Sequence, residues 1–134
     1  MTPPRHEPVS QHWLKRAKGN LLRAKVPTPK GTFREDDCFD LQQAAEKAVK
    51  AVLIHLHVAF PRIHDLDELF ALVERAGSPI PSEVRQAILL STYAVETRYP
   101  FIGEPVGQAE YDEAMRLAEA VVRWAERQIG SANN

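Results

Sequence analysis

The sequence predicts an all-α fold, an up-and-down bundle of four or five helices. Prolines and glycines divide the chain into five segments in which apolar residues recur with the helical period. No segment alternates apolar and polar residues for long enough to indicate a strand. Short connections between amphipathic helices favour antiparallel neighbours. We therefore expect a bundle, with the short third helix to one side.

Length and composition limit the classes of protein to consider. The 134 residues suit one domain, which we expect over residues 10–129, with tails at 1–9 and 130–134. A net charge of −1 argues against binding to nucleic acid through overall charge. Cys38 is the single cysteine, so an intrachain disulfide is excluded. No apolar run approaches the length of a membrane span. We expect a cytoplasmic protein without membrane contact.

The first two helices carry the clearest patterns. The first is predicted from about Ser10 to Lys25, and it ends before Pro27. Acidic residues at 35–37 suit the positive end of the second helix, which Pro61 ends. Six residues of the second helix lie within about 60° of Ala45 on a helical projection and form its core stripe: Cys38, Leu41, Ala48, Val49, Val52 and Leu56.

Three further helices follow. Asp65 can cap a short third helix that Gly77 ends. The fourth is predicted from about Ser82 to Arg98, before Pro100, and the last from about Gln108 to Gln128. The predicted buried face of the fourth helix contains Val84, Ala87, Ile88, Ser91 and Val95. The predicted buried seam of the last helix contains Tyr111, Ala114, Met115, Ala118, Val121, Val122 and Ala125.

One charged residue departs from this patterning. Helical spacing from Val84 places Arg98 on the apolar stripe of the fourth helix. A buried guanidinium is costly unless a carboxylate or a phosphate meets it. Glu46, at the edge of the stripe of the second helix, is the best-placed structural partner by angle. Alternatively, Arg98 ends the helix and extends to water while its stem covers the core.

Several motifs resemble the HEPN family. They are Trp13-Leu14-x-x-Ala17-x-x-Asn20-Leu21-x-x-Ala24, the run from Cys38 to Ala51 with Gln42-Gln43-Ala44-Ala45-Glu46-Lys47-Ala48, then His64-Asp65-Leu66-x-x-Leu69, and Arg98-Tyr99-Pro100. The resemblance spans about residues 13–127. It implies a helical bundle, frequently a homodimer, similar to the helical domain that accompanies nucleotidyltransferases. Nucleotide or RNA binding is the role that it implies, and in many relatives the pair forms a toxin–antitoxin system.

The nuclease motif of the family is not found in the core helices. Nuclease members use an arginine followed a few residues later by a histidine, and positions 103–105 after Arg98 hold Gly-Glu-Pro. Arg5 and His12 have the spacing, but they lie in or near a proline-rich start where no pocket is expected. We therefore expect no catalytic residues and a protein that is not an enzyme, with RNA cleavage kept as an alternative.

Three functions are compatible with the sequence. The first is a noncatalytic nucleotide-binding partner of a nucleotidyltransferase, with Arg98, Tyr99, Lys47 and His64 as candidate nucleotide-binding residues. The second is an RNA-cleaving HEPN toxin, and the third is a helical dimerisation module without a ligand, in which Arg98 pairs with Glu46. Loss of RNA cleavage in Arg98→Ala would support the second.

No metal or other cofactor is predicted. His55 and His57 would point about 200° apart on a helix, so they cannot chelate one ion. Glu35, Asp36 and Asp37 are interpreted as the start of a helix. Apolar residues outside the main stripes favour a homodimer; they are Trp13, Leu22, Phe39 and Ile54.

Overall fold

The computed structural model describes residues 8–26, 34–94 and 106–130. Within these ranges the chain is helical and contains no strand, so the predicted all-α class is confirmed. In chain order the elements are α1 (Val9–Lys25), α2 (Arg34–His55), α3 (Leu66–Arg75), α4 (Ser82–Arg85), a 3-10 helix (Gln86–Tyr93) and α5 (Gln108–Ile129).

Helix α2 lies at the centre of the bundle. It contacts α1, α3, the 3-10 helix and α5, and its contact with α1 is the most extensive. Four buried alanines on α2, Ala44, Ala45, Ala48 and Ala51, let the neighbouring helices approach closely. Burial extends beyond the predicted stripe and includes three polar side chains, Gln42, Glu46 and Lys50. A helix surrounded by others has no wide solvent face on which to place them.

Helix α1 is antiparallel to α2, as the short connection between them predicts, and it is also antiparallel to α5, so α2 and α5 run parallel to each other. Arg23, near the end of α1, pairs with Asp40 near the start of α2. The Tyr111 hydroxyl, at the start of α5, donates to the carbonyl of Ala24. At the other end of α5, Gly130 accepts a hydrogen bond from the side chain of Gln11. These contacts place the end of α1 against the starts of α2 and α5.

The bounds of α1, α3 and α5 agree with the sequence to within about one residue. Asp65 caps α3 as predicted, because its carboxylate accepts the N–H of Asp67 at 2.9 Å. Phe70 on α3 packs edge-on against Trp124 on α5, with 6.2 Å between ring centroids. This aromatic contact joins the short helix to the bundle. No helix in the described ranges is both long and apolar enough to cross a membrane.

The fourth helix differs from the prediction. Only Ser82–Arg85 is α-helical, and the chain continues as a 3-10 helix to Tyr93. Its buried residues recur every third position, at Val84, Ala87, Leu90 and Tyr93, as the three-residue turn of a 3-10 helix requires. Leu90 and Tyr93 thus occupy the buried face predicted for Ser91. The predicted end of this helix, from Val95 to Arg98, lies outside the described residues.

Candidate functional site

A buried carboxylate on α2 organises the first polar cluster. The side chain of Glu46 is 5% exposed and faces the end of the connection from α2 to α3. It accepts hydrogen bonds from Lys50 Nζ at 2.8 Å, His64 Nδ1 at 2.9 Å and Gln42 Nε2 at 3.1 Å. We call these four residues, Gln42, Glu46, Lys50 and His64, the Glu46 cluster.

The members of the Glu46 cluster differ sharply in exposure. The side chain of Lys50 is 8% exposed, and its Nζ lies 5.9 Å from the ring centre of Phe60. The His64 ring is 68% exposed. A carboxylate can only accept, so His64 Nδ1 carries the proton of this bond. In the neutral ring Nε2 is therefore an acceptor, and on a ring so exposed it is open to a ligand; in the protonated ring it becomes a second donor.

The Glu46 carboxylate is held in its ionised form. Burial alone would raise its pKa, but hydrogen bonds from Lys50, His64 and Gln42, together with the Lys50 charge, lower it below its usual range. A buried ammonium and carboxylate cost much desolvation energy, and good geometry offsets only part of that cost. The cluster is thus a fixed, ionised site below an exposed imidazole.

A second group of polar residues joins α1 to α2. Lys47 Nζ donates to Asn20 Oδ1 at 2.8 Å, and Asn20 Nδ2 donates to Asp40 Oδ1 at 2.9 Å. The same carboxylate oxygen accepts from Arg23 Nη2 at 2.8 Å. We call Asn20, Arg23, Asp40 and Lys47 the α1–α2 seam. It lies next to the Glu46 cluster, because Glu46 and Lys47 are consecutive on α2.

The structure describes two of the four predicted ligand residues, and it places them in different clusters. Lys47 belongs to the α1–α2 seam and His64 to the Glu46 cluster. Arg98 and Tyr99 lie outside the described residues, so their role and the pairing of Arg98 with Glu46 stay predictions. Among the described residues, Glu46 pairs with Lys50 and His64.

Sequence reasoning missed the contribution of Gln42, Lys50, Asn20 and Asp40. A signal for two of them was present, since Gln42, Glu46 and Lys50 recur at i, i+4 spacing, which places them on one face of a helix. The burial of that face was not visible, because it depends on Phe60 and His64 in the following connection.

Metal binding finds no support in this part of the chain. Across residues 8–26, 34–94 and 106–130, no three or more His, Cys, Asp or Glu side chains are grouped so as to hold a metal ion. His55 is the last residue of α2, and His57 follows in a left-handed conformation with φ of 59°.

Comparisons with known proteins point in one direction. A family model described as HEPN domain matches residues 10–128. The chain is similar to the crystal structure of ST0689, an archaeal HEPN homologue, with 27% identity and a TM-score of 0.72 over 90% of this chain and 98% of that one. It is also similar to the crystal structure of TT1696 from Thermus thermophilus, with 29% identity and a TM-score of 0.70 over 91% and 99% of the two chains. No curated protein matches it significantly.

Proposed function

Because the chain belongs to the HEPN family, we propose that it is a noncatalytic nucleotide-binding member that acts as the partner of a nucleotidyltransferase. The observation that carries the proposal is the Glu46 cluster. An ionised carboxylate and ammonium are kept almost fully buried below one exposed histidine. A charge pair that is costly to bury, linked to one group open to solvent, supports a binding site at this position.

The cluster can recognise a nucleotide through His64. With Nδ1–H bonded to Glu46, Nε2 can accept a hydrogen bond from a ribose hydroxyl or a base N–H group. When the ring is protonated, the same nitrogen can donate to a phosphate oxygen. Lys47, one residue along α2 from Glu46, supplies a cation beside the cluster. Arg98 and Tyr99 lie outside the described residues and stay candidate nucleotide-binding residues of the proposal.

Self-association is part of the proposal. Among the described residues, four large apolar side chains are more than half exposed: Val9 at 59%, Leu22 at 67%, Val26 at 57% and Leu89 at 63%. Phe39 and Ile54, which the sequence assigns to a homodimer surface, are half-buried in the single chain. Apolar surface of this kind favours contact with a second copy or with the nucleotidyltransferase. A role in a toxin–antitoxin pair belongs to the same proposal and rests on the family resemblance.

Thermal unfolding with added nucleotide tests the proposal on the full chain. Ligand at about 100 times its Kd stabilises by about 2.7 kcal/mol, which raises the Tm by several degrees in a domain of this size. We expect millimolar ATP or another nucleoside triphosphate to raise the Tm of the wild type. His64→Ala should lose most of this shift, whereas His55→Ala, an exposed histidine at the end of α2, should keep it.

Three results would count against the proposal. If none of the four nucleoside triphosphates shifts the Tm, the chain is not a nucleotide-binding protein. If His64→Ala and His55→Ala behave alike, the Glu46 cluster is not the site. If the purified protein degrades structured RNA, it is not noncatalytic, and the RNA-cleaving alternative replaces the proposal.

A further inference from the structure

The α1–α2 seam continues along α1 beyond the residues that bond to one another. Arg16 lies on the same side of α1 as Asn20 and Arg23, four residues before the one and seven before the other. Its guanidinium carbon lies 5.6 Å from the ring centre of Trp13. Arg16, Lys47 and Arg23 therefore form a row of cations along the contact between α1 and α2.

The row is short of negative charge. The hydrogen-bond partner of Lys47 is the neutral amide oxygen of Asn20. The contact of Arg16 is an aromatic face. Asp40 is the carboxylate of the seam, and its Oδ1 is shared between Arg23 and Asn20. Three cations thus face Asp40, the one carboxylate of the seam, while Glu46, next to Lys47 on α2, is paired with Lys50 and His64.

The electrostatics of Lys47 reflect this imbalance. Burial lowers the pKa of its ammonium, and the charges of Arg16 and Arg23 lower it further. Asp40 and Glu46 counteract part of this effect. The two guanidiniums are therefore close enough to repel the Lys47 charge. An anion bound beside the three cations would relieve this repulsion and would supply the negative charge that the row is short of.

We propose that the α1–α2 seam is a binding site for a chain of phosphate groups, held by Arg16, Lys47 and Arg23. From Arg16 to Arg23 the backbone of α1 advances roughly 10 Å at about 1.5 Å per residue, which suits two or three linked phosphates better than one. Guanidiniums bind phosphate oxygens through paired N–H groups, and the ammonium acts as a point charge between them. Asn20 is a positioning residue, because it holds Lys47 and Asp40 in place.

The chemistry of this ligand has two possible sources. It is either a free oligophosphate or the phosphate chain of a nucleotide. The second source deepens the proposed function and rests on it, since the nucleoside would then lie toward His64 in the adjacent Glu46 cluster. The first source requires no nucleotide binding, so the two claims can fail separately.

Calorimetric titration of the full chain with inorganic triphosphate tests the site directly. Wild type should bind triphosphate, and it should bind inorganic monophosphate at least about tenfold more weakly, because one phosphate meets fewer of the cations. Lys47→Met and Arg16→Gln should each weaken triphosphate binding by about tenfold, the effect of losing one charge-assisted hydrogen bond. Lys18→Gln is the matched control. It removes the same charge from α1, but Lys18 pairs with Glu126 on α5, so its binding should stay close to wild type.

Each outcome decides a claim. The seam is not the site if Lys47→Met and Arg16→Gln bind triphosphate like wild type, or if Lys18→Gln weakens binding equally. Arg16 is an exposed surface residue, so Arg16→Gln gives an answer even if Lys47→Met unfolds. If triphosphate binds through the seam but ATP binds no tighter, the seam stands and the nucleotide proposal falls. If ATP binding depends on His64 and is unchanged in both seam variants, the nucleotide proposal stands and the proposal for the seam falls.

Discussion

At the residue scale, the Glu46–Lys50 pair sets the energetics of the candidate site. Both side chains are nearly inaccessible to water, at 5% and 8% exposure. Removing one partner of such a pair leaves a buried charge uncompensated, whereas replacing both by apolar groups is far less costly. The pair therefore stabilises the fold only as long as both partners are present.

Substitution of Glu46 tests this dependence. Glu46→Gln should lower the free energy of unfolding at neutral pH by about 3 kcal/mol, because Lys50 loses its counter-charge in a buried position. Adding Lys50→Met should restore much of the loss, which urea unfolding of the two single variants and the double variant would measure. Equal and additive losses would show that the two charges do not interact.

The same variant has a defined pH dependence. Although burial would raise the pKa of Glu46, its hydrogen bonds with Lys50, His64 and Gln42 hold it below the usual range. The carboxylate therefore contributes its full stability above the ordinary carboxyl pKa of about 4 and loses it as the pH falls through the lower folded-state pKa. The difference in stability between wild type and Glu46→Gln should be full at neutral pH and should shrink in acid. A difference that is constant down to the acid unfolding of the wild type would contradict this assignment.

Burial of polar residues is the part of the site that the sequence did not predict. The stripe geometry placed Glu46 at the edge of the core and offered it as the partner of a buried charge at Arg98, a pairing that lies outside the described residues and stays a prediction. Among the described residues, Glu46 pairs with Lys50 on the same helix and with His64. A helical projection describes one helix at a time. The surroundings of Lys50 and Glu46 depend on the connection after α2, in which Phe60 lies near Lys50 and His64 bonds to Glu46.

At the element scale, the bounds of the helices follow from local chemistry. Asp65 caps the start of α3, and Gly77 adopts a positive φ beyond its end, as these residue types predict. Two elements are exceptions. Helix α2 ends at His55, before the predicted end at Pro61, and the chain after α4 forms a 3-10 helix. This 3-10 helix contains Ile88, Ser91 and Thr92, whose branched or hydroxyl side chains lower the preference for an α-helix. Over so few turns, a three-residue spacing of buried positions cannot be distinguished from the 3.6-residue period of an α-helix.

Two glycines give opposite predictions for the same substitution. Gly19 lies inside α1, and a Cβ added there would meet no atom of the described residues within 4 Å. Gly19→Ala should therefore raise the free energy of unfolding by up to about 1 kcal/mol through helix propensity. Gly77 also has space but holds a φ of +94°, so Gly77→Ala should destabilise the protein. Thermal unfolding of the two variants would show shifts of opposite sign.

The Gly77 variant is also the control for Gly19→Ala. A Tm that rises in both variants would mean that loss of glycine entropy in the unfolded chain dominates. A Tm that falls in Gly19→Ala would mean that a Cβ at this position meets atoms beyond the described residues of the single chain, which leave the position open.

At the scale of the whole molecule, α2 is the central helix, against which most of the other helices pack. Periodicity predicted the helices, and the short connection between α1 and α2 predicted that these two are antiparallel, so the HEPN-like architecture was accessible from the sequence; the parallel contact of α2 with α5 was not. The central position of α2 could not be predicted, because the core stripe read from its sequence describes only one packed face of the helix. Helices α1, α3, α5 and the 3-10 helix all contact α2, so no helix of the described chain has a separate core.

This arrangement predicts that the expected domain over residues 10–129 unfolds in one cooperative transition. The two tryptophans report on different helices. Trp13 is half-buried on α1, and Trp124 on α5 is 1% exposed. Trp124→Phe leaves Trp13 as the fluorophore and Trp13→Phe leaves Trp124. Within each variant, the urea midpoint from tryptophan fluorescence should equal the midpoint from far-ultraviolet circular dichroism.

Agreement within each variant, and not between variants, is the criterion, because the substitutions differ in cost. Trp124→Phe shrinks a buried side chain that packs against Phe70, but it also removes an indole N–H that has no hydrogen-bond partner within the described ranges. Trp13→Phe changes a side chain at the rim of the core, next to Arg16. If the fluorescence of Trp13 changes at lower urea than the circular dichroism, α1 detaches before the rest. The α1–α2 seam would then open without global unfolding, and ligands of the seam would stabilise α1 selectively.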